Sequence, residues 1–297
     1  MCGIFGLIAS NESSYKQNFL SNSFTKLACL SETRGKDSSG ICTFNPISNN
    51  IDILKGPIPM QKLIKTSVFK EKLSDSFKQK DNIQCAFGHS RLVTNGSQLS
   101  DINNQPVFSS GLVGVHNGII ANDEELWAKY PDISRKAEID TEILLALIRQ
   151  ELIKEESLES AISNSIKQIK GTVSLAFVLD DYSAFSLATN NGSLYTLTNG
   201  KDILYFASEF HIINELQKKI DFKKINDFEI KQVKSDTGII INYKDFSLNN
   251  FSFSDSAFDS SIIKNDTKSL VNINTVKSSR DELSVVIDLN KIHLNSK

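Results

Sequence analysis

The sequence predicts an α+β fold in which two sheets stack face to face and helices cover their outer faces. Three observations point there. Apolar, strand-like runs fall in two batches, one up to His116 and one beyond Gly171. Two stretches with helical spacing, opened near Glu138 and Leu158, lie between those batches. Finally, 40% of the 297 residues are apolar, enough for a sizeable core.

The elements follow in order. Ile4 to Ile8, behind Met1-Cys2-Gly3, reads as a buried strand. After a polar turn at Asn11–Ser14, Leu20, Phe24, Leu27 and Leu30 recur at helical spacing, giving a helix from about Gln17 to Ser31. It stops at Arg34-Gly35-Lys36-Asp37-Ser38-Ser39-Gly40, a polar loop bracketed by glycines, ahead of a strand from Ile41 to Phe44. Ile51–Leu54 is a short strand, and the lysine-rich stretch 61–80 reads as helical with a solvated face. Ile83–Gly88 is a buried strand leading into a loop, His89-Ser90-Arg91-Leu92-Val93-Thr94-Asn95-Gly96. Val113–His116 is a strand that runs into Asn117-Gly118, a dipeptide that signals a tight turn. A short helix at 123–129 starts with acidic residues, and Glu138–Glu142 opens another with Leu144, Leu147 and Ile148 on one face. Leu158, Ile162, Ile166 and Ile169 mark a further helix. Strands then recur at Val173–Leu179, Phe185–Ala188, Leu194–Leu197, Ile203–Ala207, 228–233 and 238–243, with a helix around 210–218. From about residue 250 the chain is rich in Ser, Asn and Asp, with a last apolar run at Leu283–Leu289.

Composition excludes several classes. A net charge of −2 offers no polyanion-binding surface, so no nucleic-acid partner is expected. No apolar run approaches the length of a membrane span, and the N-terminus lacks the basic region and cleavage site of a signal peptide. A cytoplasmic protein without membrane contact is therefore expected. The four cysteines, Cys2, Cys29, Cys42 and Cys85, show no CxxC spacing and no metal pattern. They fit free thiols in a reducing compartment, and no metal and no cofactor is expected.

Cys2 carries the first chemical suggestion. Removal of an initiator methionine before a small side chain would leave it as residue one, with a thiol and a free α-amine together. A thiol with a pKa of about 8.5 is mostly protonated at neutral pH, whereas an α-amine titrates at about 7.7–8.0. The amine can then act as base for the thiol of its own residue, and no histidine is required. An ordinary residue at a frayed end would have the same sequence. Arg34 reads either as part of a surface turn or as a fixed cation beside the first strand. Arg91, at a strand end, can grip a carboxylate with two parallel hydrogen bonds or form a surface ion pair. Asn117-Gly118 fits a turn, or an oxyanion hole if a nucleophile lies close. Asp140 and Thr141 sit where helix N-caps are favoured.

In this order the segments resemble the class II glutamine amidotransferases. The resemblance rests on Met1-Cys2-Gly3-Ile4-Phe5-Gly6, Arg34 to Gly40, Gly88 to Gly96, His116-Asn117-Gly118-Ile119-Ile120-Ala121-Asn122 and Asp140-Thr141-Glu142, and covers roughly residues 2–245. Arg-Gly-x-Asp-Ser-Ser-Gly and His-Asn-Gly-Ile-Ile look most like the glucosamine-6-phosphate synthase branch. Gln105-Pro106 is closer to the phosphoribosylpyrophosphate amidotransferase branch.

The resemblance implies a four-layer αββα N-terminal-nucleophile hydrolase sandwich of two mainly antiparallel sheets over 2–245, with 246–297 as a C-terminal extension. It implies that Cys2 attacks the side-chain amide of L-glutamine and that Asn117 and the Gly118 N–H hold the oxyanion. Arg91 would clamp the α-carboxylate and Asp140 the α-ammonium. Thr94 would close over the substrate with its loop, and Arg34 would lie near the Cys2 end. Two departures stand out. The synthase branch has tryptophan and histidine where this chain has Leu92 and Asn95, and the acceptor domain is absent. A glutaminase serving a separate ammonia-acceptor synthase or isomerase subunit is therefore expected. A γ-glutamyl hydrolase of the same fold and a non-catalytic glutamine-sensing subunit are the rivals.

Overall fold

The computed structural model describes residues 2–45, 50–78, 84–93, 96–155, 157–179, 181–220, 228–253 and 284–288. In chain order the strands are β1 (Gly3–Ala9), β2 (Ser38–Asn45), β3 (Asn50–Gly56), β4 (Gln84–Arg91), β5 (Val107–Ser109), β6 (Leu112–Ile120) and β7 (Gly171–Leu179). They continue as β8 (Ala184–Thr189), β9 (Tyr195–Thr198), β10 (Ile203–Ala207), β11 (Glu229–Gln232), β12 (Thr237–Asn242), β13 (Leu248–Ser252) and β14 (Ser284–Asp288). The helices are α1 (Gln17–Ser31), α2 (Met60–Leu63), α3 (Ser67–Phe77), α4 (Asp123–Lys129), α5 (Thr141–Lys154), α6 (Leu158–Lys167) and α7 (Phe210–Lys219).

The strands form two sheets. One has the order β11-β9-β10-β1-β4-β2-β3-β14, the other β13-β12-β8-β7-β6-β5. All pairings are antiparallel except β14 with β3. Three apolar layers separate the four structural ones. Phe5, Leu7, Leu27, Phe69 and Leu216 pack the first sheet against α1, α3 and α7. Ile4, Ile8, Phe87, Val113, Val115 and Phe185 fill the space between the sheets. Leu144, Leu147, Ile162 and Leu175 pack the second sheet against α5 and α6. The expected αββα layering is what these contacts build.

The position of β1 follows from its composition. Every residue of Gly3–Ala9 is buried, so the strand needs neighbours on both edges and apolar layers on both faces. It obtains β4 on one edge and β10 on the other, with Gly3 opposite Ser90 and Phe5 opposite Ala207. The residue before it, Cys2, is therefore held at the end of a central strand.

Several boundaries differ from the sequence reading. Asn117-Gly118 is not a turn: β6 continues through it to Ile120, paired with β7 from Leu112–Leu179 to Ile120–Gly171. Neither residue has a positive φ; the tight turn is at Ser110-Gly111 (φ 53° and 79°), which joins β5 to β6. The stretch 61–80 breaks into α2 and α3, with the Thr66 side chain accepting from the Phe69 N–H to cap α3. Of the loop read after Gly88, His89–Arg91 belong to β4, and Ser38–Gly40 of the glycine-bracketed loop already belong to β2. Beyond residue 245, β13 extends the second sheet and β14 lies parallel to β3. No helix among the described residues is long and apolar enough to cross a membrane.

Candidate active site

Cys2 and Asn117 lie 115 positions apart and meet where the two sheets face each other. The Cys2 backbone nitrogen donates to Asn117 Oδ1 at 3.0 Å. The Asn117 side chain is thereby oriented with Oδ1 toward the nitrogen, which leaves Nδ2 as its donor. The Cys2 thiol approaches the Leu92 carbonyl at 3.5 Å. Burial raises the thiol pKa above its ordinary value, with the Arg91 charge acting against it. A protonated thiol at neutral pH needs a base.

The open edge of β6 sets the direction of the Gly118 N–H. On that edge β5 pairs only with Leu112–Gly114. Beyond it the outward N–H groups recur every second residue. The His116 N–H is taken by Gln105 Oε1 at 2.6 Å and the Ile120 N–H by Asp140 Oδ2 at 2.8 Å. Gly118 lies between them, and its N–H points the same way. A Cβ at Gly118 would run into the Thr172 carbonyl and the His116 ring, so only glycine brings the backbone this close.

Asp140 occupies the N-cap position of α5 yet makes no side-chain cap bond. Its carboxylate turns across to β6 instead, with Oδ1 3.7 Å from His116 Nδ1. Burial works to raise its pKa, but His116 and the Ile120 N–H outweigh burial and hold it below the ordinary carboxylate value. The capping reading of Asp140 is replaced by one in which it braces the site.

Arg91 ends β4 and is buried. It donates to the Asn103 carbonyl at 2.7 Å, Asn104 Oδ1 at 3.0 Å and the Gly96 carbonyl at 3.1 Å. It thus ties down the segment 96–104 as well as facing Cys2 and Asp140. Arg34 packs its Cβ and Cγ against Gly3 and pairs with Glu209 at 3.0 Å. It is a cation near the Cys2 end, with a partner of its own. Thr94 and Asn95 lie outside the described residues. Leu92 is 46% exposed.

Several residues that the sequence did not single out complete the surroundings. Asp37 Oδ2 accepts from the Val93 N–H at 2.8 Å, and its own N–H donates to the Arg91 carbonyl at 3.0 Å. Ser208 Oγ accepts from the Ile4 N–H at 3.2 Å and so buttresses the start of β1. Lys55, from β3, donates to the Asn104 and Pro106 carbonyls. Asp37 stood inside a recognised motif; Lys55, Ser208 and Glu209 carried no local signal, because only the fold brings them here.

A family model described as a glutamine amidotransferase domain matches residues 89–215. The chain is 27% identical over 267 residues to glutamine–fructose-6-phosphate aminotransferase (isomerizing) of Helicobacter pylori strain J99, a match spanning 87% of this chain and 41% of that one. The enzyme of the same name from Methanococcus maripaludis is 30% identical over 229 residues, spanning 73% and 35%. The chain thus spans about two fifths or less of these relatives. Among solved structures, glutamine phosphoribosylpyrophosphate amidotransferase from B. subtilis, complexed with ADP and GMP, aligns with a TM-score of 0.61 at 22% identity. That alignment covers 85% of this chain and 49% of that one, and supports the fold.

Proposed function

Because the chain belongs to the class II glutamine amidotransferases, we propose that it hydrolyses the side-chain amide of L-glutamine through a Cys2 thioester. The observation that carries this reading is the bond from the Cys2 nitrogen to Asn117 Oδ1. Once Met1 is removed, that nitrogen is the α-amine, and Asn117 holds it beside the thiol. The amine takes the thiol proton as sulfur attacks the amide carbon. The oxyanion of the tetrahedral adduct is held by Asn117 Nδ2 and the Gly118 N–H; losing one such donor typically costs about 10²–10³ in rate. The amine then passes its proton to the departing nitrogen, which leaves as ammonia. Water opens the thioester to give glutamate and regenerates the thiol.

Asp140 pairs with the substrate α-ammonium and Arg91 with its α-carboxylate, and Thr94 is the third substrate-binding residue. Arg34 supports the Cys2 end through Gly3. The ammonia passes to a separate acceptor, a synthase or isomerase subunit that aminates a sugar phosphate. That last step is supported by the names of the relatives, which are aminotransferases acting on fructose 6-phosphate.

The test is glutamate release from glutamine by the purified protein, with Cys2→Ala as control. Release abolished by the substitution supports the reading; release that survives it removes Cys2 from the mechanism. Co-purification from the native host without a synthase-like partner would count against the acceptor. A second reading, γ-glutamyl hydrolysis of a peptide or small metabolite, is favoured by the bonds that Arg91 already makes to Gly96, Asn103 and Asn104. Competition between glutamine and γ-glutamyl peptides separates the two.

A further inference from the structure

Lys55 belongs to β3, yet its ammonium reaches the segment that borders β6. It is only 6% exposed and donates to the Asn104 carbonyl at 2.7 Å and the Pro106 carbonyl at 3.0 Å. Those two carbonyls flank Gln105. The Gln105 side chain in turn bonds both backbone groups of His116, its Nε2 donating to the carbonyl at 3.1 Å and its Oε1 accepting from the N–H at 2.6 Å. The packing beneath is tight: a Cβ on Gly40 would overlap the Gln105 carbonyl and lie 2.7 Å from Lys55 Cβ.

We infer that Lys55 is a positioning residue for the oxyanion site, acting through Gln105 on the backbone of β6. The amide of Gln105 stands in for a strand partner and ends the ladder at His116. The next outward donor, the Gly118 N–H, is then left open at a fixed place. A buried ammonium facing neutral carbonyls is a costly way to fill space. Burial lowers its pKa to about 8 despite the favourable charge of Asp101. A methionine would pack the same volume without that cost, so the charge is retained for the two carbonyls it holds. The inference rests on the glutaminase reading and deepens it.

The test compares the full-length chain with Lys55→Met, Gln105→Ala and the double variant. Glutamine hydrolysis should lose at least about tenfold in kcat in each single variant, short of the 10²–10³ expected for a donor removed outright. KM should stay within about threefold, because the substrate's charged ends bind elsewhere. The double variant should fall no further than the worse single one, since both act on one element. Hydrogen exchange is measured on the same proteins, and reads the positioning whether or not glutamine is turned over. In Lys55→Met, exchange should quicken in a peptide spanning 112–120 and not in one spanning 3–9. Unchanged exchange in 112–120, or a kcat within about twofold of an active wild type, would overturn the inference. Exchange quickened equally in both peptides would also overturn it, by reducing Lys55 to general stability. A wild type that turns over no glutamine while the local exchange effect is present removes the glutaminase reading and leaves the positioning intact.

Discussion

His89 makes this fold sensitive to acid in a way that one substitution should remove. The residue lies on β4, fully buried at the level of the site. Burial, and then the charges of Arg91 and His116, push its pKa down to about 3, with a backbone contact from His116 opposing. The unfolded chain titrates near 6.5. Between about pH 6.5 and 3 the unfolded state therefore binds a proton that the native state does not. Stability then rises with pH across that window and falls on acidification. One proton corresponds to ~1.4 kcal/mol per pH unit, so acidification from about pH 6.5 to 4.5 costs ~2.5 kcal/mol on this account. His89→Leu, of similar volume, deletes the titrating group. Urea unfolding of both proteins at intervals between about pH 7 and 4.5 measures the difference directly. The wild type should lose stability relative to His89→Leu by ~1.4 kcal/mol per unit below about pH 6. Parallel stability curves over that range would refute the reasoning, because they would mean that His89 takes its proton in the folded state as readily as in the unfolded one.

Two further outcomes are expected. Asp140→Asn keeps the shape of the side chain but removes the charge that would meet the substrate ammonium. A hydrogen bond to a charged group is worth about 1.5–3 kcal/mol, so steady-state kinetics should show KM for glutamine raised roughly 10- to 100-fold, with kcat changed far less. Gly35→Ala would drive a Cβ into the backbone of Arg91 and Leu92. Overpacking of about 2 kcal/mol corresponds to a Tm lowered by roughly 4–8 °C in a domain of this size, which calorimetry would measure.

The sequence by itself determined the elements whose own residues carry the period. α1, α4 and β10 fall where helical or strand spacing puts them, since an amphipathic stripe or a short apolar run has one way to be buried. It also singled out the residues of the candidate site, because Cys2, Arg91, Asn117, Gly118 and Asp140 stand in ordered motifs. It did not determine what those residues do with their neighbours. Asn117-Gly118 reads locally as a turn, and pairing with β7 overrides that preference by laddering the backbone straight through. Asp140 reads as a cap, and the Ile120 N–H, 20 positions away, competes for its carboxylate and wins. Lys55 and Gln105 gain their contacts only when β3 and β6 flank the segment 104–106, and Ser208 gains its own only when the end of β10 lies beside β1. The physical reason is the same in each case. Local spacing fixes which face of an element is apolar, whereas the partner of a buried polar group is chosen by whatever donor or acceptor the packed fold places within reach.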